Sequence, residues 1–454
     1  MALIHEDSLE ILKTELELFS LPPTQASIEE TRYVEYQPTT SLDKGGPVDF
    51  YIPPNDKEYL DLQNTFLYMK MKILDENGDA LKTKISDDDT GVPPKSMVYP
   101  INYIHATCFK TVEVLLNNTS CSSNDTMYPY RAYFEALLTY GKQAKEEQLV
   151  SGMFYKDKNP MDEHSAAVTK SGSDQSKNSG AVARFRRTNY SNSFETVGRI
   201  HTEIFSQPKL LVGDVAVRLK LHRADPKFAL MAVNADDRYT ISIDSASLFV
   251  CQKRISEAVR EAHRETLQEK NIIYPVRKIH MKWVTRGPLR NDLTEPNFLN
   301  GTLPRRIIIG LVADEAFNGN HHHNPFNFAH FNVQAIIMRK NGEALPFQSI
   351  EMDYANKCSL RGYISLMEGT NNLFKNKSMD IRPFVDYPQG YALYAFDLTQ
   401  DHSGTNTFDL IQQGNISLEI KLAQTSDKGI CIVAYMEYDT LIQIDSHYSV
   451  TYEQ

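Results

Sequence analysis

The stretch TFLYMKMKIL (65–74) puts Leu67, Met69, Met71 and Ile73 on one parity and Tyr68, Lys70 and Lys72 on the other. A period of two cannot be satisfied by a helix, whose faces repeat every 3.6 residues, so the stretch reads as a half-buried strand. The same alternation recurs in TVEVLL (111–116), DVAVRLKLH (214–222), RRIIIGLV (305–312), NVQAIIM (332–338) and NISLEIKLA (415–423). Turn residues separate these runs, as in DENGDA (75–80) and KNGEA (340–344). The chain is mainly β and antiparallel, with short connections.

The pattern is used twice, each half closing with a strand, a loop, a turn with Leu or Ile and Gly, an alternating strand and a long final strand, so that GRIHTEIF and GYALYAF read as the first of these. The first half ends GRIHTEIFSQPKLLVGDVAVRLKLHRAD, a polar break, then YTISIDSASLFVCQKRI; the second ends GYALYAFDLTQD, a polar break, FDLIQQGNISLEIKLAQTSD, then ICIVAYMEYDTLIQI. Earlier in each half a strand runs into a tight turn, EVLLNNTS in one and AIIMRKNGE in the other. One architecture repeated in tandem is the economical reading.

Two segments have helical spacing. PYRAYFEALLTYG (129–141) places Tyr130, Tyr133, Phe134, Leu137 and Leu138 on one face, with Pro at its start and Gly at its end. RISEAVREAHRETLQEK (254–270) falls where the first half closes and reads as a helical connector. Residues 155–192 are polar and aperiodic, including KSGSDQSKNSG, and are expected to form an exposed loop insertion. The basic runs ARFRRTNY (183–190) and CQKRISEAVR (251–260) are expected to be solvated faces.

A formal net charge of −10 argues against sequence-specific nucleic-acid binding by the chain as a whole. Cys108, Cys121, Cys251, Cys358 and Cys431 are odd in number and form no CxxC pair, as expected of reduced, mostly buried thiols. The start MALIHEDSLEILKTELELF lacks the basic head and unbroken apolar core of a signal peptide, which points to cytosolic synthesis. No run approaches the roughly 20 apolar residues of a membrane span.

FNGNHHHNPFNF (317–328) tests the chain for chemistry. On a strand His321 and His323 would share a face while His322 points away. The cupin His-x-His metal motif also needs a Glu four or five residues later and a Gly six before; Asn327, Phe328 and Phe317 stand there instead. The flanking Asn318, Gly319, Asn320, Asn324 and Pro325 predict a solvated loop, dispensable for folding. SDDDTG (86–91) lacks the closing Glu of a calcium loop. No phosphate loop, HExxH helix, GxSxG elbow or dinucleotide fingerprint occurs. The expectation is no enzyme, no catalytic or metal-binding residue, and no cofactor.

Longer stretches carry a resemblance. SLPPTQASIEETRYVEYQPTTSLDKGGPVDFYIP (20–53), EYLDLQNTFLYMKMKI, YPYRAYFEALLTYG, LVSGMFYKD, VGRIHTEIFSQPKLL, LPRRIIIGLVADEAFNG, NPFNFAHFNV and GYALYAFDLTQD resemble, in order and nearly end to end, the Polinton/Maverick major capsid proteins of the double jelly-roll lineage. The resemblance implies two tandem eight-stranded antiparallel jelly rolls with a few short helices. It implies a homotrimer forming a pseudo-hexameric capsomer, with neighbouring capsomers and a single jelly-roll penton protein as partners. It also implies an icosahedral shell around double-stranded DNA, so a virion location. The histidines then sit in a loop whose flanks are family-like.

The expected division is an N-terminal arm over 1–44, a first roll over 45–253 with the insertion at 155–192, a connector over 254–270, and a second roll over 271–454. The rivals are a non-viral β-sandwich that binds carbohydrate, which needs aromatic platforms in an exposed groove, and a metal-dependent jelly-roll enzyme.

Overall fold

In a computed structural model of the chain, the described residues are 7–452 apart from 44, 82–96, 124–125, 163–177, 234–237, 289–291, 377, 401 and 403–406. SDDDTG and the centre of the polar insertion lie outside them.

Among the described residues, sixteen strands make up the four large sheets, apart from a short one at the C-terminal end. In the first half these are β1 (Ile28–Tyr36), β2 (Val48–Ile52), β3 (Glu58–Asp75), β4 (Phe109–Leu116), β5 (Thr119–Ser120), β6 (Phe194–Gly198), β7 (Val217–Arg223) and β8 (Tyr239–Ile255). In the second they are β9 (Ile272–Arg286), β10 (Asp292–Thr302), β11 (Arg306–Ala313), β12 (Val333–Lys340), β13 (Glu343–Glu351), β14 (Leu393–Asp397), β15 (Gln413–Leu422) and β16 (Ile430–Ile444). The first half forms two sheets ordered β1-β8-β3-β6 and β2-β7-β4-β5. The second forms β9-β16-β11-β14 and β10-β15-β12-β13, with Val450–Tyr452 added beside β16. Subtracting eight from each second-half number returns the first-half order. This is a double jelly roll, and the repeat legible in the sequence is a repeat of topology.

Local chemistry explains the register. The β4–β5 hairpin turns through Asn117 and Asn118, both at positive φ, and β12–β13 turns through Asn341 and Gly342, also both positive. Two left-handed residues make the turn whose twist matches paired strands, and Asn and Gly are the residues that tolerate it. In β3 the side chains of Leu67, Met69, Met71 and Ile73 are buried while Phe66, Tyr68, Lys70 and Lys72 face outward. Leu418 and Ile420 share the buried face of β15 with Ile416 and Leu422. Pro275 and Pro296 fall in β9 and β10, both at sheet ends, where a missing donor costs least.

Three elements depart from the sequence-based expectation. Residues 28–36, assigned to the arm, form β1 and pair antiparallel with β8 from Ile28↔Ile255 to Tyr36↔Leu248. An edge strand with most side chains exposed needs no apolar alternation, which is why IEETRYVEY did not read as a strand. The stretch GRIHTEIF is not a strand; the pairing strand is FETVG, at 194–198, and a helical turn covers Glu203–Ser206. The insertion at 155–192 is not a loop throughout. Its last part forms α2 (Ser179–Thr188), capped by Asn178 Oδ1 accepting from Ala181 N, and buries Val182, Arg184 and Phe185; α1 (Tyr128–Thr139) precedes it and α3 (Glu257–Glu269) joins the halves.

The hydrophobic interior is layered. Leu293, Ile307, Ile309, Ile336, Met338, Leu418 and Ile432 fill the second roll between its own sheets. Ile308, Val312, Val433 and Tyr435, on the opposite face of the same sheet, join the apolar cluster that runs through the first half. Strands β11 and β16 are therefore buried on both faces, and so their sequences, RIIIGLVA and ICIVAYM, are continuously apolar rather than alternating.

Candidate functional site

The seam between the rolls is where the chain concentrates its aromatic and buried charged side chains. Helix α1 lies in it with Tyr128, Tyr130, Arg131, Tyr133, Phe134 and Leu137 all buried. Tyr133 and Phe326 stack with centroids 4.1 Å apart and planes at 5°. Tyr130 packs edge-on to Phe326 at 5.5 Å and flat against Phe317 at 5.8 Å; Phe134 touches Phe328 at 5.1 Å and Tyr435 at 5.8 Å. The two apolar segments that lie outside strands thus meet each other, helix against loop.

A polar network crosses the same helix. Arg131 donates to Glu203 at 2.8 Å and to Glu135 at 3.0 Å. Glu135 accepts in turn from His201 Nδ1 at 2.7 Å, and the other imidazole nitrogen meets Tyr103 OH at 3.0 Å. Glu203 also accepts from the Ile279 amide of β9 at 3.4 Å, which ties the network to the second roll. Burial alone would raise the Glu135 carboxyl, but the Arg131 charge and the His201 hydrogen bond hold it down to about 2. Burial pushes the His201 imidazole below its ordinary value, with Glu135 opposing.

A second buried pair closes the strap formed by residues 155–162. Arg184 of α2, 1% exposed, donates to Asp157 at 2.7 Å and to the carbonyls of Pro100 and Tyr155. The expectation of a solvated ARFRRTNY therefore holds for Arg186 and Arg187 but fails for Arg184. Asp157 also accepts from Asn324 Nδ2 at 3.3 Å, and its carbonyl from Tyr391 OH at 2.8 Å. Asp162 accepts from the Asn324 amide at 2.7 Å, and Lys156 meets Asp386 at 2.8 Å.

The histidine triplet is a turn, as its flanks predict, but its first histidine is not solvated. His321 is 2% exposed. Its Nδ1 donates to the Leu230 carbonyl at 2.9 Å, its own carbonyl accepts from Ala232, and its ring packs edge-on to Tyr239. His323 lies 3.0 Å from Glu315 and 3.7 Å from Asp162. The two do not share a face, because a turn rather than a strand carries them. His330 stacks on Tyr354 at 4.0 Å. Among the described residues no group of three His, Cys, Asp or Glu is placed to hold a metal ion.

Sequence reasoning missed Glu135, Asp157, Arg184 and His201. The one available signal was an Arg–Glu pair four residues apart inside a helix that is apolar on every side.

On the outside, among the described residues, large apolar side chains stand uncovered in several places, three of them groups of neighbours in the chain. Leu9, Ile11, Leu12, Leu16, Leu18, Phe19 and Leu21 line the N-terminal segment, with Phe19 fully exposed. Leu360, Ile364, Phe374, Phe384 and Val385 mark the segment before β14, and Phe408, Leu410 and Ile411 the loop before β15. Such surfaces are sites of association in proteins that remain soluble.

No family model matches the chain. It is 26% identical over 433 residues to the uncharacterized protein F54H12.2 of Caenorhabditis elegans, covering 94% of this chain and 97% of that one. Among solved structures, a chain in the cryo-EM structure of the Sputnik virophage superposes with a TM-score of 0.61 at 12% identity, over 100% of this chain and 94% of that one. The mavirus major capsid protein superposes at 0.52 with 9% identity, over 100% and 97%. The Faustovirus major capsid protein superposes at 0.52 with 8% identity, over 94% and 92%. From Ile28 onward the described residues form a double jelly roll, the fold the chain shares with these viral capsid proteins.

Proposed function

We propose that the protein is a major capsid protein of Polinton/Maverick type. Its subunits would trimerise into pseudo-hexameric capsomers that tile an icosahedral shell around double-stranded DNA, with a single jelly-roll protein at the vertices. One observation carries the reading: the eight-stranded topology is repeated in tandem in one rigidly seamed chain, and the resulting block leaves apolar side chains uncovered outside both rolls. Two rolls per subunit and three subunits give a six-sided outline, and a six-sided unit tiles a flat facet. A permanent trimer interface of this kind buries about 2,000 Å² or more. Contacts between capsomers of only about 4 kcal/mol suffice, because each is repeated many times. The reading requires no catalytic residue, metal or cofactor.

Light scattering with negative-stain microscopy tests it. Trimers of hexagonal outline, or closed shells, are expected at micromolar concentration; a stable folded monomer would overturn it.

A second reading has one specific observation in its favour. Tyr33, Phe66 and Phe249 form an aromatic strip on the outer face of β1-β8-β3-β6, with centroids 5.6 and 5.1 Å apart, and Tyr33 is 53% exposed. Aromatic platforms of this kind stack on sugar rings, although here they lie on an open sheet rather than in a groove. Binding on a glycan array that is lost in Tyr33→Ala would favour the carbohydrate reading.

A further inference from the structure

We infer that the N-terminal segment of one copy seats in a groove beside the connecting helix of another. This deepens the assembly reading and rests on it, and four observations support it.

The first is the groove. Between α3, the start of β1, residues 208–212 and the start of β9 lies a depression of about 680 Å³, walled by Ile28, Tyr59, Leu210, Val212, Val259, Leu267 and Ile272 among others. Its walls are mainly apolar. Its charged or titratable side chains are Lys209, His263, Lys270, Tyr59 and Tyr274, and no carboxylate lines it among the described residues. Glu257, Glu261 and Glu265 of α3 belong, by helical period, to the opposite side of that helix.

The second is the segment. Residues 7–19 carry Asp7, Glu10, Glu15 and Glu17 against Lys13, and so are acidic where the groove is basic. Leu9, Leu12, Leu16 and Phe19 follow a helical spacing and are 61–101% exposed. In the structure only Thr14–Leu16 form a helical turn, so the stripe would form on docking; an acidic segment with regularly spaced apolar side chains complements an apolar groove with a basic rim.

The third is the exit of the segment, which begins at the groove itself. Ser27 and Ile28 line the groove, and Ser27 O accepts from the Ser256 amide at the start of α3. Gln25 grips Ile28 through both its amide nitrogen and its amide oxygen, at 3.1 and 2.9 Å.

The fourth is that the segment does not occupy its own groove. In the single chain none of residues 7–21 lines the depression and their apolar side chains stand exposed, so the groove is assigned to the segment of a second copy. This is a contact of charge-steered apolar insertion, with the acidic side chains setting orientation and the leucines and phenylalanine excluding water.

Thiol trapping tests the assignment. Two differently tagged full-length preparations, both carrying Cys358→Ser to remove the exposed native thiol, would be mixed after one receives Leu16→Cys and the other Thr266→Cys. Oxidation should give a disulfide-linked pair containing both tags. Lys209→Glu with Lys270→Glu in the acceptor should abolish the pair, and Glu15→Lys with Glu17→Lys in the donor should restore it. A chain carrying both cysteines that closes on itself, with no mixed-tag product, would overturn the exchange. So would a mixed-tag product indifferent to the charge reversals. If light scattering still shows trimers or shells while trapping fails, the arm assignment falls and the assembly reading stands. Monomers at every concentration would remove both.

Discussion

Tyr133, on the helix contributed by the first half, and Phe326, in the loop contributed by the second, lie face to face at 4.1 Å. Both are fully buried, and Tyr130, Phe154, Phe228 and Phe328 pack around them. The rolls are joined by a buried aromatic seam as well as by a covalent connector, which makes one rigid block of two topological units. A subunit that must present both rolls at a fixed angle requires that rigidity.

Phe326→Ala should therefore do more than open a cavity. Its expected cost is about 3–5 kcal/mol, large against the stability of an ordinary domain. Urea unfolding followed by tryptophan fluorescence from Trp283 and by far-ultraviolet circular dichroism should lose coincidence, because the halves would no longer melt together. A single coincident transition shifted by less than about 1 kcal/mol would count against the seam as the coupling element.

Glu135 makes acid sensitivity predictable. Its carboxyl is held at about 2, below the ordinary 4.5, chiefly by Arg131 acting against burial. A lowered carboxylate contributes stability that is present in full above the unfolded value and is lost as pH falls from about 4.5 through about 2. That contribution amounts to roughly 3 kcal/mol from the shift. Glu135→Gln should be destabilised at pH 7, and the gap to the parent should close progressively below pH 4.5. Melting temperatures of the pair across pH 3–7 decide it; a constant gap would show that the charge is not the cause.

Lys145 runs the opposite way. It is buried, donates to the carbonyls of Leu137 and Met379 at 2.6 Å each, and burial brings its amine down to about 7, with Asp380 opposing and Lys156 adding. A base whose folded value lies below its ordinary 10.5 costs stability in full below about 7, and that cost fades as pH rises toward 10.5. Lys145→Met removes the titration and leaves two carbonyls unpaired, a loss of about 1–3 kcal/mol that does not vary with pH. The parent should gain on the variant by a few kcal/mol between pH 7 and 10. Parallel unfolding curves of unchanged separation at pH 7 and 10 would sink this.

His321 separates from its neighbours. His321→Ala leaves the Leu230 carbonyl without its donor and a void beside Tyr239, for an expected loss of about 1–3 kcal/mol. His323, at the surface between Glu315 and Asp162, should cost about 1 kcal/mol or less on replacement by Ser. A chelator should leave the parent's melting temperature unchanged. Equal effects at the two positions would contradict the buried role assigned to His321.

Amino-acid order specifies what is local and periodic. Alternation in TFLYMKMKIL and NISLEIKLA, the paired turns NN and NG, and the helical stripe of YRAYFEALL each follow from which side chains can share a face, so strands, hairpins and helix were legible. The repeat was legible for the same reason, since equivalent strands need equivalent patterns. Tertiary structure alone decided the rest. IEETRYVEY is a strand because β8 offers it an open edge, not because its own pattern demands it. Arg184 is buried because Asp157, 27 residues earlier, compensates its charge, and no local rule names that partner. His321 points inward because Leu230 and Tyr239, 91 and 82 positions away in the chain, form the wall it fits. Periodicity reports which face of an element is apolar; which neighbour covers that face, and which buried charge finds its counter-charge there, depends on contacts that exist only once the two rolls have closed on each other.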